Sequence, residues 1–190
     1  MQIKSKLMIL LGIILVFCSV GLMFFSNMST YKAQQETAEI VAHIQKILPT
    51  ETIGSEDDNS SSEMPSLEFN KRSIVGLLEI PTTNTVLPVD GVWNEKTLKT
   101  IPQRFSGTVY DGSLVVGGYD RKDQFDCLEK LDIGNNITVT DMMGSVFSYK
   151  VELIERKKSA KKEDLQQSSY NLTLFTYDIN SKNYIIFRCK

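Results

Sequence analysis

The carboxyl-terminal stretch Leu172-Thr-Leu-Phe-Thr-Tyr177-Asp-Ile-Asn-Ser-Lys-Asn-Tyr184-Ile-Ile-Phe-Arg188-Cys-Lys190 decides how the rest of the chain is read. Two runs rich in β-branched and aromatic residues, Leu172–Thr176 and Tyr184–Arg188, flank a short polar segment. That is the pattern of two strands joined by a turn. Upstream, the pattern recurs from Ser73 onward, near Ile74–Ile80, Thr85–Val89, Ser106–Val109, Leu114–Gly117, Asn136–Thr140 and Val146–Glu155. Short helices are expected at Asn94–Thr100, Asp123–Leu131 and Lys161–Leu165. Regular short strands with turn signals predict an all-β barrel or sandwich, and the pattern alone does not separate the two.

The order and spacing of these pieces resemble the sortases, cysteine transpeptidases that join proteins to the cell wall of Gram-positive bacteria. The resemblance covers Ser73 to Lys190 and is class B/D-like. Ile74-Val-Gly-Leu-Leu-Glu-Ile80-Pro81 resembles the family's opening strand and Val86-Leu-Pro-Val89 its second. Asn94 to Thr100 resembles the helix that follows, Phe125 and Leu128 match a Phe-x-x-Leu element, and Val146 to Glu155 resembles a long central strand. Gly134-Asn-Asn-Ile-Thr-Val-Thr-Asp141 matches a strand entry, with Asn135 where Asp is usual. The resemblance implies an eight-stranded barrel with short helical connections.

The same resemblance marks three positions where the family's chemistry is missing. The family reads Leu-Thr-Leu-x-Thr-Cys, a turn, then Arg and an apolar strand; here Tyr177 stands at the cysteine and Tyr184 at the arginine. A one-residue slip in the turn would put Asn183 at the arginine instead. The family's histidine follows a pattern like Val-Ala-Gly-His, and Leu114-Val-Val-Gly-Gly118-Tyr119-Asp120 matches it with Tyr119.

Composition reaches the same point without any family. His43 is the single histidine, so Ile44 to Lys190 holds no imidazole to activate a nucleophile. Of the three cysteines, Cys18 falls in an apolar run, leaving Cys127 and Cys189, whose pairing the sequence leaves open. A free phenol, with a pKa near ~10, is a poor nucleophile at neutral pH unless a base or cation adjoins it. Arg188 and Arg121 are the cations that sequence offers. The plainer reading is that the three rings fill a groove no longer used for catalysis.

Outside this domain, residues 1–6 precede an almost wholly apolar run, residues 7–25. About 19 such residues suffice to span a ~30 Å hydrocarbon core. Lys4 and Lys6 precede the run and no basic residue follows until Lys32, so the amino terminus is expected in the cytoplasm and the domain outside. Residues 26–49 read as a juxtamembrane helical stalk with Val41, Ile44 and Leu48 at helical spacing, flanked by Ile40 and Ile47. Residues 50–72 read as an acidic, Ser-rich disordered linker, and residues 73–190 as the barrel domain.

No repeat, phosphate-cradling glycine loop or metal-ligand cluster is present, so no cofactor is expected. A net charge of −2 gives no case for nucleic acid. Arg156, Lys157, Lys158, Lys161 and Lys162 form a basic run, read either as contact with an anionic partner or as a solvated loop. Taken together, the chain is expected to be a single-pass, outward-facing, sortase-like pseudoenzyme that holds a sorting-signal peptide, a surface protein or an active sortase. The alternatives are an active transpeptidase or hydrolase with rearranged residues, and an unrelated extracellular β-barrel adaptor or sensor.

Overall fold

The structure, a computed structural model, describes residues 15–17, 19, 35–47, 63–121, 124–166, 169–178 and 183–190. The chain divides into two compact units, Met1–Glu36 and Thr37–Lys190. In the first, residues 15–17 and 19 are helical, and the Ser19 hydroxyl donates to the Val16 carbonyl at 2.8 Å. The rest of the expected membrane run lies outside the described residues. No helix among the described residues is long and apolar enough to cross a membrane.

The second unit is a barrel. Its strands are β1 (Leu67–Phe69), β2 (Arg72–Ile80), β3 (Thr85–Asp90), β4 (Gln103–Ser106), β5 (Leu114–Tyr119), β6 (Asn136–Asp141), β7 (Val146–Lys157), β8 (Leu172–Asp178) and β9 (Asn183–Cys189). They run in the order β1-β2-β3-β4-β5-β8-β9-β7-β6, and a β2–β6 pairing closes the ring. Eight strands therefore form the barrel, and β1 hangs on β2. Closure is what removes the exposed sheet edges. β1 and β6 share one side of β2 by dividing its length: Phe69 pairs with Arg72 at one end, and Thr138 with Glu79 at the other.

Strand alternation sorts the residues. Leu114 and Val116 of β5, Leu172 and Leu174 of β8, and Ile185, Phe187 and Cys189 of β9 point into the main core. Their neighbours Val115, Phe175 and Ile186 point outward yet are also buried, because Leu165 of α2 (Lys162–Leu165), Trp93, Phe105 and Ala160 cover them. The barrel wall between β5 and β9 thus carries apolar packing on both faces.

Several expectations are corrected. The strand expected at Ser106–Val109 is instead β4, Gln103–Ser106. Gly107 has φ +73°, and a Cβ there would lie 2.0 Å from the Ser113 carbonyl oxygen, so the chain turns where the strand was expected to begin. Asn94–Thr100 is a run of turns, not a helix. Asn94 Oδ1 accepts the Lys96 N–H at 3.0 Å and the Asn94 carbonyl accepts the Leu98 N–H at 2.9 Å, so the segment starts as a helix would and goes no further than turns. Asp123–Leu131 is a 3-10 helix over Phe125–Lys130. The linker expected over 50–72 lies outside the described residues up to 62, and its remainder already contains β1.

The expected stalk also differs. Residues 35–47 are helical (α1), and within the second unit Ile40 and Ile44 are buried against Ile74, Leu77 and Ile101. The buried stripe is the i, i+4 pair Ile40–Ile44, with Val41 beside it and Ile47 exposed. Burying two isoleucines stabilises the docked helix by about 1.5–3 kcal/mol each relative to exposure. Residues 37–47 therefore belong to the domain.

Candidate functional site

The three tyrosines come together. Tyr119 ends β5 and pairs with Tyr177 of β8 in the parallel β5–β8 register, where six consecutive pairs run without a shift. Tyr177 pairs in turn with Tyr184 of β9, the ring centroids 5.2 Å apart at an interplanar angle of 62°. Lys157 of β7 pairs with Tyr184 and completes a row across four adjacent strands. Directly paired residues share a face, so the four side chains start from the same, outer side of the barrel. Asn183 pairs with Asp178, one step beyond the row. Tyr177 is 37% exposed and its two tyrosine neighbours are half-buried.

Below this row lies another, Gly117–Phe175–Ile186–Glu155. Gly117 has no side chain because none fits: a Cβ would stand 2.5 Å from Phe175 Cζ and 2.9 Å from Trp93 Cζ3. Trp93, Phe105 and Phe175 form an aromatic wall, with centroids 4.9 Å (Trp93–Phe105), 5.6 Å (Phe105–Phe175) and 6.0 Å (Trp93–Phe175) apart. Gln103, fully buried, braces the segment that carries Trp93. It accepts the Asn94 N–H at 2.7 Å and donates to Thr97 Oγ1 at 2.8 Å. Sequence reading missed this wall; the adjacent glycines in a strand, Gly117 and Gly118, were the signal of close approach.

Arg188 shares the outer face with Tyr184 but serves the fold. It is fully buried and donates to Glu155 Oε2 at 2.9 Å, to the Leu165 carbonyl at 2.9 Å, to Thr173 Oγ1 at 3.1 Å and to the Asp164 carbonyl. Its guanidinium satisfies carbonyls at the end of α2 and pins that turn to the barrel. Arg121 donates to the Lys99 carbonyl at 3.1 Å. The single histidine, His43, is exposed on α1, its ring 4.9 Å from that of Phe69 in β1. By the strand order, β1 is well removed from β5, β8 and β9 in either direction around the ring.

Neither domain thiol is suited to attack. Cys127 and Cys189 are both free and buried. Burial and the nearby Asp126 push the Cys127 thiol up to about 11, and it donates to the Gln124 carbonyl at 3.0 Å. Burial and the Glu152 carboxylate push Cys189 up to about 12. A nucleophilic cysteine needs the opposite shift.

Of the basic run, Lys157 is held by Glu155 at 3.4 Å and Asp164 at 3.3 Å. Asp164 also accepts the Lys161 N–H at 3.0 Å, so its carboxyl sits below the usual carboxylate range. Arg156, Lys158, Lys161 and Lys162 are exposed. Among the described residues, no group of histidine, cysteine and carboxylate side chains could hold a metal ion.

No family model matches this sequence, and no curated protein matches it. Solved structures match the fold. Sortase C1 of GBS Pilus Island 1 is 20% identical, with 62% of this chain and 63% of that one covered at a TM-score of 0.54. Sortase A from Corynebacterium diphtheriae is 22% identical, with 62% and 60% covered at 0.54. A Clostridium perfringens sortase D5 transpeptidase is 18% identical, with 62% and 78% covered at 0.53. The chain spans less than two thirds of the length of the first two. Structures named sortase A, C and D match alike, so the likeness is to the barrel they share. The domain has the sortase fold.

Proposed function

We propose that this chain is a membrane-anchored, outward-facing pseudo-sortase, whose barrel binds a sorting-signal peptide, a surface protein or an active sortase without transpeptidase chemistry. The observation that carries this reading is the row Tyr119–Tyr177–Tyr184. The resemblance expects histidine, cysteine and arginine at those positions, and the register brings the three together as an active site would require. A frame kept in register with all three reacting groups replaced is the mark of retained binding and lost chemistry. Loss of a single oxyanion donor costs about 2.7–4 kcal/mol of transition-state stabilisation, and nucleophile and base act as a unit. The buried, protonated thiols and the distant His43 offer no substitute. The apolar run 7–25 with Lys4 and Lys6 before it supports the anchor and its orientation.

The test uses the full-length chain with candidate sorting-signal peptides and an amine acceptor, read by mass spectrometry. The expected result is no cleavage, no transfer product and no thiol-linked adduct. A turnover product abolished by Tyr177→Phe or Cys127→Ala overturns the pseudoenzyme reading. Orientation is tested by adding protease to intact protoplasts, which should degrade the domain; full protection would place it inside.

A further inference from the structure

We infer that the outer face around Tyr177 binds an acidic peptide segment, which crosses the tyrosine row and sets its carboxylates over the cations of β7 and α2. This rests on the reading of the face as a retained binding surface, and it names the occupant. The row Tyr119–Tyr177–Tyr184–Lys157 spans four strands. At about 4.8 Å per strand that is about 14 Å, the length of about four extended residues. Tyrosine supplies an apolar ring and a hydroxyl at little conformational cost, which suits it to grip a peptide.

Charge selects the peptide. Although the chain is net negative, three exposed lysines follow the Lys157 end of the row, Lys158, Lys161 and Lys162, whereas Arg156 pairs with Ile185 and so leaves β7 on the opposite face. Among the described residues, no carboxylate stands within salt-bridge distance of these three, although the Lys161 charge helps to lower the Asp164 carboxyl. Lys157 is the exception, since Glu155 and Asp164 hold it. The lysines lie at one end of the row, so the ligand's acidic residues belong at the Lys157 end, between β7 and α2.

Ring geometry argues for a peptide over a glycan. Tyr177 and Tyr184 meet edge to face at 62°, so they present no common plane on which sugar rings could stack in succession.

The experiment measures fluorescence anisotropy of labelled peptides with the full-length chain. A peptide of alternating Glu and Pro should bind about tenfold more tightly than its Gln-Pro or Lys-Pro counterparts, and rising salt should weaken it. Tyr177→Ala should weaken binding about tenfold, as should the combined Lys158→Glu, Lys161→Glu and Lys162→Glu changes. These residues are exposed, so the variants should fold, and circular dichroism checks that they do. No binding of the Glu-Pro peptide, equal binding of the Lys-Pro peptide, or indifference to either set of changes overturns the proposal. Binding of a glycerol-phosphate oligomer in place of the Glu-Pro peptide overturns it in favour of a wall polymer. Turnover in the cleavage assay with acidic-peptide binding intact would sink only the pseudoenzyme reading. Absent turnover with absent peptide binding would sink only this one.

Discussion

Tyr177 and Tyr184 are direct cross-strand partners, their ring centroids 5.2 Å apart and inclined at 62°. The sortase resemblance expects a cysteine and an arginine at these two positions, and the two rings pack on one another. Edge-to-face aromatic contacts contribute about 0.5–1.5 kcal/mol beyond their area. A double-mutant cycle of Tyr177→Ala and Tyr184→Ala should give a coupling energy of about 0.5–1 kcal/mol in chemical denaturation. A coupling of zero would mean that the rings do not support one another.

Gly117 and Gly118 face opposite sides of β5, and both exclude a side chain. A Cβ at Gly117 would press on Phe175 and Trp93; one at Gly118 would stand 2.7 Å from Phe125 Cδ2 in the main core. Phe125 is fully enclosed, and Phe175, the ring nearest a Gly117 Cβ, is buried too. Overpacking in a core typically costs about 1–3 kcal/mol. Gly117→Ala and Gly118→Ala should therefore each destabilise by about that much. Trp93 is the single tryptophan, so Gly117→Ala should red-shift the emission of the folded protein while Gly118→Ala leaves it in place. The reverse pattern would contradict the packing described.

Arg188 is a fully buried cation with four acceptors, and its loss strands two backbone carbonyls of α2 and leaves Glu155 with Lys157 alone. Removing one partner of a buried pair costs about 3–5 kcal/mol, with the lower end expected because Glu155 keeps some solvent. Arg188→Met should lower stability by about 3 kcal/mol and release α2. Hydrogen exchange at amides 162–166 reads the second effect. Unchanged protection there would show that α2 is held by Leu165 alone.

The two domain thiols should be silent in the folded protein. Both ionise far above neutrality, at about 11 for Cys127 and about 12 for Cys189, against an ordinary value of 9.0. In a Cys18→Ser background, a thiol reagent near pH ~8 should find no reactive cysteine until the protein unfolds, and then two. The raised folded values mean that the folded state keeps its thiol protons where the unfolded chain loses them. Their contribution to stability is fully present below the unfolded value and is lost as pH rises through the folded ones. The denaturation midpoint should thus fall as pH climbs from about 9 towards about 11. A thiol that reacts in the native state at neutral pH would reopen covalent chemistry.

Much of the barrel was legible because strand patterning is local. The β-branched runs at Ile74–Ile80, Leu114–Gly117, Leu172–Thr176 and Tyr184–Arg188 overlap observed strands, since alternation and turn residues are properties of neighbours in the chain. The misreadings occurred where a non-local contact overrules local pattern. Ser106–Val109 looks like a strand, but Gly107 lies against Ser113 and turns away. Asn94–Thr100 was expected as a helix, but it makes turns, with the Leu98 N–H bonded to the Asn94 carbonyl and Gln103 bonded to the Asn94 N–H and Thr97 Oγ1. The α1 stripe reads as Val41, Ile44 and Leu48 flanked by Ile40 and Ile47; docking buries Ile44 as read, and Ile40 more deeply than Val41.

By itself, the sequence determined that no imidazole lies between Ile44 and Lys190 and that tyrosine occupies positions 119, 177 and 184. Those are facts of composition and order, which no folding can alter. Only the tertiary structure decided that Tyr119 meets Tyr177 in a parallel pair, that Arg188 turns inward to hold α2, and that Cys127 and Cys189 stay apart and protonated. Each depends on strand register or burial between segments distant in the chain. Hydrophobic periodicity specifies a face, but the closure of the barrel specifies which residues share it.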